Sequence, residues 1–235
     1  MRIFPSRRIG LKSSSLSQGG LSLIEILVAL VLASLLFYVA LTAPGRSEQD
    51  DLDESMDIVE KAIIFAINES ILRNRMTRVH FDLEAERPKI SVEYSDDIGF
   101  VLPDVKKYDK KDLGIKEKEA KEKMREKINS RFKPVEDIDP ERLNIPEQVQ
   151  ILGMATSLRP SVVRDEEMSI YIYPTGERDR AFITFALFEH IAAFMTEPYL
   201  GEFNREYATI KLENESEEAY EESYREILEK LFEKW

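Results

Sequence analysis

Apolar and polar positions divide the chain into three regimes. From Leu21 to Ala43 the run LSLIEILVALVLASLLFYVALTA is apolar almost without a break, and Glu25 is its only charge. As a helix rising about 1.5 Å per residue it would extend about 35 Å, enough for a hydrocarbon core of about 30 Å. Pro44-Gly45 should end or kink that helix. A second regime follows. Val59, Ile63, Ile67 and Ile71 recur at four-residue spacing, with Met56, Ala66 and Ser70 beside them. That single stripe predicts a helix over 47–73 packed on a sheet. Ser47-Glu48-Gln49-Asp50 reads as its capping box and Asn74 as a left-handed end.

Beyond Asn74 the period falls to two. Val79, Phe81 and Leu83 alternate with Arg78, His80 and Asp82, the pattern of a half-buried strand. Ile90, Val92 and Tyr94 predict a second strand, with Arg87-Pro88 at a hairpin turn. Residues 104–146 read as an insertion. Its run KEKEAKEKMREK pairs opposite charges, such as Glu117 with Lys121 and Glu119 with Lys123, at helical spacing. Ala120, Met124, Ile128 and Phe132 give it a thin apolar stripe, and the expectation is a solvated surface helix. Pro134, Pro140 and Pro146 then mark a loop. Later strands are expected over 149–154, 168–173 and 181–187, a shorter one over 191–195, and a last one over 207–213. Tyr173-Pro174-Thr175-Gly176 is a turn. A closing helix over 217–235 carries Tyr220, Tyr224, Ile227, Leu228, Leu231 and Trp235 on one face. The fold class is α+β: a long N-terminal helix packed on an antiparallel sheet spanning 76–213, with a charged helical insertion and a C-terminal helix.

Charge sharpens the picture at both ends. Arg2, Arg7, Arg8 and Lys12 are the only charges before Leu21, so the start should stay cytoplasmic and the remainder be exported. The whole chain carries a formal net charge of -12, and loss of that basic leader would make it four units more negative. Such a chain repels nucleic acid phosphates unless its cations cluster on one face. Arg73, Arg75 and Arg78 are a modest cluster of that kind. The absence of cysteine excludes disulfides and thiolate metal sites.

No catalytic constellation, cofactor motif or metal motif stands out. His80 and His190 lie far apart in sequence, and His80 falls on the polar side of its strand, as expected of a surface residue. Asp50, Asp51, Asp53 and Asp57 could attract a cation, but at a helix start they fit capping and dipole stabilisation better. They also lack the loop glycine of an EF-hand. Glu25 needs a reason of its own. A carboxylate in a transmembrane helix costs about 2.5–3.5 kcal/mol at the centre, less near an end, and a plain membrane anchor has no use for it. A conventional secretory signal would be shorter, with small residues at its far end; Leu41-Thr42-Ala43 is a poor cleavage site.

Gly19-Gly20 followed by Leu21-Ser22-Leu23-Ile24-Glu25-Ile26-Leu27-Val28-Ala29-Leu30 resembles the prepilin processing motif of type IV pilin-like proteins. The resemblance implies a cut after Gly20 by a prepilin peptidase, N-methylation of Leu21, and Glu25 as the characteristic glutamate at the fifth mature position. Two departures are the Leu in place of the usual first Phe, and a long leader. The junction Asn68-Glu69-Ser70-Ile71-Leu72-Arg73-Asn74-Arg75-Met76-Thr77-Arg78-Val79 is similar to the helix-to-strand passage of the GspH/FimT family of minor pseudopilins and minor pilins. Asn74 stands near that family's usual glycine. Tyr173-Pro174-Thr175-Gly176 resembles a turn near the family's carboxyl end, with Thr175 where Asp is usual.

The physical logic of the motif is independent of the resemblance. A cut at Gly20 frees an ammonium on Leu21 at the membrane edge. Between staggered helices, Glu25 of one subunit can meet Leu21 of the next, and pairing removes the cost of a lone charge in apolar surroundings. The expected organisation is a leader at 1–20, a transmembrane helix at 21–46, and a pilin-like head at 47–235. The resemblance implies a single-pass inner-membrane protein with a periplasmic head, and not an enzyme. It would act as a minor pseudopilin of a type II secretion system, in a pseudopilus that drives protein export. Its partners would be the prepilin peptidase and methyltransferase, other pilin-like subunits and membrane lipid. The alternative is a FimT-like minor pilin of a type IV pilus that binds DNA. A third class, a membrane-tethered enzyme, would keep its amino terminus uncut.

Overall fold

The computed structural model describes residues 22–42, 47–85, 87–97, 115–199, 201, 203–210 and 217–235. The chain divides into two units, one up to Gly45 and one from Arg46 onward.

In the first unit, α1 runs from Leu23 to Thr42 over 20 residues and stops just before Pro44. The side chains from Leu23 to Tyr38 are exposed around the whole helix. Among the described residues no helix is by itself long and apolar enough to cross a membrane. The described side chains of α1 end at Tyr38, about 24 Å along the axis from Leu23, against an apolar bilayer core of about 30 Å.

The second unit begins with α2, Glu48–Arg73. Ser47 caps it: its Oγ accepts from the Asp50 N–H at 3.1 Å, and its own N–H donates to Asp50 Oδ2 at 2.9 Å. Two orphan donors are thereby satisfied reciprocally. Asn74 ends the helix at φ 49° and ψ 48°, the left-handed cap the sequence suggests. The buried face comprises Leu52, Met56, Val59, Ile63, Ala66, Ile67 and Ser70. Ile71, expected on that stripe, is 44% exposed. Four residues turn a helix about 40° past a full revolution, so a strict four-residue row drifts off the core by its fourth member. Ile71 instead lies over the turn at Gly176, where a Cβ would meet its Cδ1 at 3.1 Å. Gly176 also holds φ at 82°, which an L side chain resists.

The strands are β1 (Met76–Asp82), β2 (Lys89–Ser95), β3 (Lys133–Pro134), β4 (Gln150–Thr156), β5 (Arg159–Val163), β6 (Met168–Ile172), β7 (Ala181–Leu187), β8 (His190–Thr196) and β9 (Asn204–Thr209). Two further helices are α3 (Ile115–Asn129) and α4 (Glu217–Glu233). The expected single sheet is in fact two antiparallel sheets, ordered β3-β2-β1-β6 and β5-β4-β7-β8-β9. The β1–β2 hairpin forms as the sequence predicts, Val79 opposite Val92. Its other neighbour is β6, Val79 opposite Ile170, across a separation that no local pattern reveals. β5 was not expected. Arg159-Pro160-Ser161-Val162-Val163 carries a proline, which a strand tolerates at a sheet edge, and β5 is an edge. The last strand ends at Thr209 rather than 213, and 211–216 fall outside the described residues. A four-residue 3-10 turn, Pro140–Leu143, interrupts the loop expected there.

One core joins α2 to the inner faces of both sheets, including Val79, Phe81, Ile170, Ile183, Phe185 and Phe194. The opposite face of the five-stranded sheet is covered by α4. Phe182, Ala186, Ile191, Ala193 and Met195 meet Leu231 there, with Tyr224, Ile227, Phe232 and Trp235 beside them. This explains why β7 is buried at all seven positions: a strand covered on both faces reads as a continuous apolar run. The helical insertion is not merely a solvated surface element. Ile128 and Phe132 pack with Met76, Tyr171 and Tyr173 on the outer face of the four-stranded sheet. Met124 remains 44% exposed.

Candidate functional site

Glu25 sits in the first turn of α1. Its Oε2 accepts from the Ser22 N–H at 3.4 Å, and its own N–H donates to Ser22 Oγ at 3.3 Å. This is a loose capping box, the same device that starts α2. The carboxylate is solvent-facing and lies beside the helix's positive end, where negative charge is favoured. Gly20 and Leu21, the expected processing residues, lie outside the described residues. Ser22 escaped the sequence reading, although Ser-x-x-Glu before an apolar run is a legible signal.

The basic cluster at the α2–β1 junction is not a free cationic face. Arg73 Nε lies 2.7 Å from Glu69 Oε1, and its Nη2 lies 2.9 Å from Asp137 Oδ2. Arg75 pairs with the same Glu69 carboxylate and places its guanidinium 3.5 Å from the Tyr94 ring centre. Arg78 is 2% exposed. It donates to Glu93 Oε2 from Nε at 2.8 Å and from Nη2 at 2.6 Å, and to Asn129 Oδ1 at 2.9 Å. Its guanidinium also stacks on Phe132, 4.2 Å from the ring centre. Arg78 thus ties β1, β2 and the end of α3 together. His80 is half-buried, not a surface residue, and its Nδ1 lies 2.9 Å from Ser169 Oγ. Burial, helped by the nearby Arg78 charge, lowers its pKa, so the imidazole stays neutral near pH 7.

The aspartates of α2 are likewise committed. Asp50 caps the helix and Asp51 is buried. Asp53 accepts from the Tyr207 hydroxyl at 2.6 Å, and Asp57 accepts from Arg205 at 2.8 Å. Arg205 also pairs with Glu60, so β9 is pinned to the flank of α2. Among the described residues no group of three or more His, Asp or Glu side chains could hold a metal ion. A shallow open groove of about 540 Å³ lies between β5 and α4, with Val162, Arg164, Arg225, Leu228, Glu229 and Phe232 in its wall. Its charged lining is Arg164, Arg225 and Glu229.

Two buried ionisable residues were not anticipated. Asp179 is 6% exposed and links the two sheets. Its Oδ2 accepts from the Tyr171 N–H at 3.2 Å, and the Ser157 hydroxyl donates to Oδ1 at 3.3 Å. Burial raises its pKa from 3.8 to about 6, against the opposing pull of those two hydrogen bonds. Arg178, its neighbour in sequence, is 2% exposed. Neither stands in a motif, and only the pairing of strands from different sheets brings them indoors.

Comparison of the chain with protein-family models, curated proteins and solved structures gives no significant match. The function therefore rests on the residues.

Proposed function

We propose that the protein is a minor pseudopilin of a type II secretion system. It would be cut after Gly20 by a prepilin peptidase, held in the inner membrane by the apolar helix, and assembled through Glu25 into a periplasmic pseudopilus. The observation that carries this reading is a single carboxylate in the first turn of a helix whose other side chains are almost all apolar and exposed. Water is a poor medium for such a helix, because its apolar side chains face outward on every side. Lipid suits everything in it except Glu25. In lipid the carboxylate needs a cation, and cleavage after Gly20 would free one close by, the Leu21 ammonium. The four basic residues ahead of Leu21 support a cytoplasmic start. A head that builds its own core from Ser47 onward supports a folded domain beyond the membrane. The DNA-binding alternative loses its footing in Arg73, Arg75 and Arg78, since each is already paired with a carboxylate.

The test is subunit contact through Glu25. Cysteines placed near Leu21 and Glu25 on separate subunits should crosslink in the wild-type background. Glu25→Ala should still insert and still be cut, yet lose that crosslink and the filament's function. Glu25→Gln keeps the shape and loses the ion pair, and should behave as Glu25→Ala does. Full crosslinking and full function in the Gln variant would mean that charge pairing does not drive assembly.

A further inference from the structure

Among the described residues most arginines of the head pair with carboxylates, as Arg75 does with Glu69, Arg78 with Glu93 and Arg205 with Asp57 and Glu60. Arg164 and Arg225 differ. Both are exposed, and among the described residues neither has a salt-bridge or hydrogen-bond partner. Two neighbouring carboxylates serve other cations: Glu166 pairs with Arg159 at 2.7 Å, and Glu226 with Lys230 at 2.7 Å. Arg164 directly follows β5 and Arg225 lies in α4, yet both line the groove of about 540 Å³ between those elements. That volume falls within the range of ligand-binding clefts, roughly 300–1,000 Å³.

The apolar part of the lining is Val162, Leu228 and Phe232, and packed residues hold it in place. Phe232 meets the Phe182 ring edge-on, 5.5 Å between centres. Val162 lies against Gly153 of β4, where a Cβ would come within 2.5 Å of its Cγ1. In a chain of net charge -12, exposed guanidiniums without acceptors beside such a surface reverse the sign locally. A guanidinium fork matches a carboxylate, so this lining complements a segment that is both acidic and apolar. Glu229 in the same lining disfavours a polyanion such as nucleic acid by like-charge repulsion. β5 is a sheet edge, but Pro160 lacks the N–H that strand addition would use. Side chains rather than backbone pairing must hold the occupant.

We propose that the β5–α4 groove docks an acidic segment of another protein, in which carboxylates flank an apolar residue. The carboxylates meet Arg164 and Arg225, and the apolar side chain lies on Val162, Leu228 and Phe232. The surface belongs to the head alone and does not depend on assembly through Glu25.

The experiment measures fluorescence anisotropy of labelled, end-capped hexapeptides against the full-length protein in detergent micelles. The acidic set carries one Leu or Phe among Asp and Glu residues, with the apolar residue moved through every position. Control sets replace the acids by Lys, or the apolar residue by Ser. At least one acidic peptide should bind saturably, and its Lys and Ser controls should bind weaker by about tenfold or more. Arg164→Gln combined with Arg225→Gln should weaken that binding by about tenfold or more. Both positions are exposed and unpaired, so the thermal midpoint of this double variant should match the wild type. Arg164→Glu combined with Arg225→Glu should turn the preference towards the Lys set. No saturable binding across the acidic set would overturn the proposal, as would undiminished binding in the Gln double variant or equal binding of the Lys set. Displacement of the peptide by duplex DNA at equal concentration would make the groove a phosphate site and overturn the choice of partner. Self-association of the wild type that the Gln double variant loses would place a second copy there and overturn it equally. If the Gln double variant does not fold, the Lys and Ser controls on the wild type decide.

Discussion

The two longest helices among the described residues solve opposite problems. α2 spreads its charges along one side and hides Met56, Val59, Ile63, Ala66 and Ile67 against two sheets. α1 has one acidic residue in its first turn and exposes large apolar side chains on every side, Leu23 at 83% and Phe37 at 71%. Both start with a serine whose hydroxyl and backbone are bridged by an acidic residue three positions on. The shared start shows that capping chemistry fixes where a helix begins. It says nothing about the medium the helix needs. That is set by the side chains beyond the cap: α2 is amphipathic because a core waits on one side, and α1 exposes apolar side chains all round.

The largest expected effect separates the two directly. Ile63→Ala, at a fully buried position in α2, should cost the head about 2–5 kcal/mol, read by denaturant unfolding. Leu30→Ala, at an exposed position in α1, should leave that midpoint unchanged. A fragment of residues 47–235 should remain in solution without detergent and give a mixed helix-and-strand circular dichroism spectrum. Equal losses in the two variants, or an all-helical spectrum, would break the division of labour.

A second contrast concerns carboxylates in apolar surroundings. Asp179 is raised to about 6 in the folded head, from 3.8. The folded state therefore binds the extra proton between those values. The stability it lends is fully present below about pH 4 and is lost as pH rises through about 6. The shift corresponds to about 3 kcal/mol. Asp179→Asn keeps an acceptor for the Tyr171 N–H and removes the titration. Urea unfolding between pH 4 and 7 should show a declining contribution in the wild type that is missing in the variant. Parallel pH profiles would refute the role assigned to Asp179.

The smallest effect lies at the caps. Ser47→Ala should cost the head about 1 kcal/mol, since the Asp50 N–H loses its acceptor. Ser22→Ala should leave head stability as it was. A drop from Ser22→Ala as large as that from Ser47→Ala would contradict the independence of the two helix starts.

Much of the head was legible because its signals are local. The α2 stripe, both of its caps, the β1–β2 hairpin, the turn at Gly176 and the face of α4 all follow from residues close in sequence. What escaped was long-range. Strand β6 joins β1 rather than its neighbours in sequence, so a single sheet became two. β5 was hidden by Pro160, and β9 lies at 204–209, where it pairs with β8 and where Arg205 and Tyr207 reach carboxylates of α2. Arg73, Arg75 and Arg78 read as a cationic patch until their acceptors, from Glu69 to Asn129, were in place. The candidate site fared differently. Glu25 stood out at once as a charge in an apolar run, whereas Asp179 and Arg178 carry no sequence signal of burial.

The claim that the chain is a processed pilin-like subunit is tested most directly by the mass of the protein in the membrane fraction of its cell. The account predicts a mature chain beginning at Leu21, with one methyl group on its amino terminus, and an uncut chain in Gly20→Val, where a branched side chain hinders entry to the peptidase. A protein whose first residue in cells still lies before Ser13 would contradict it.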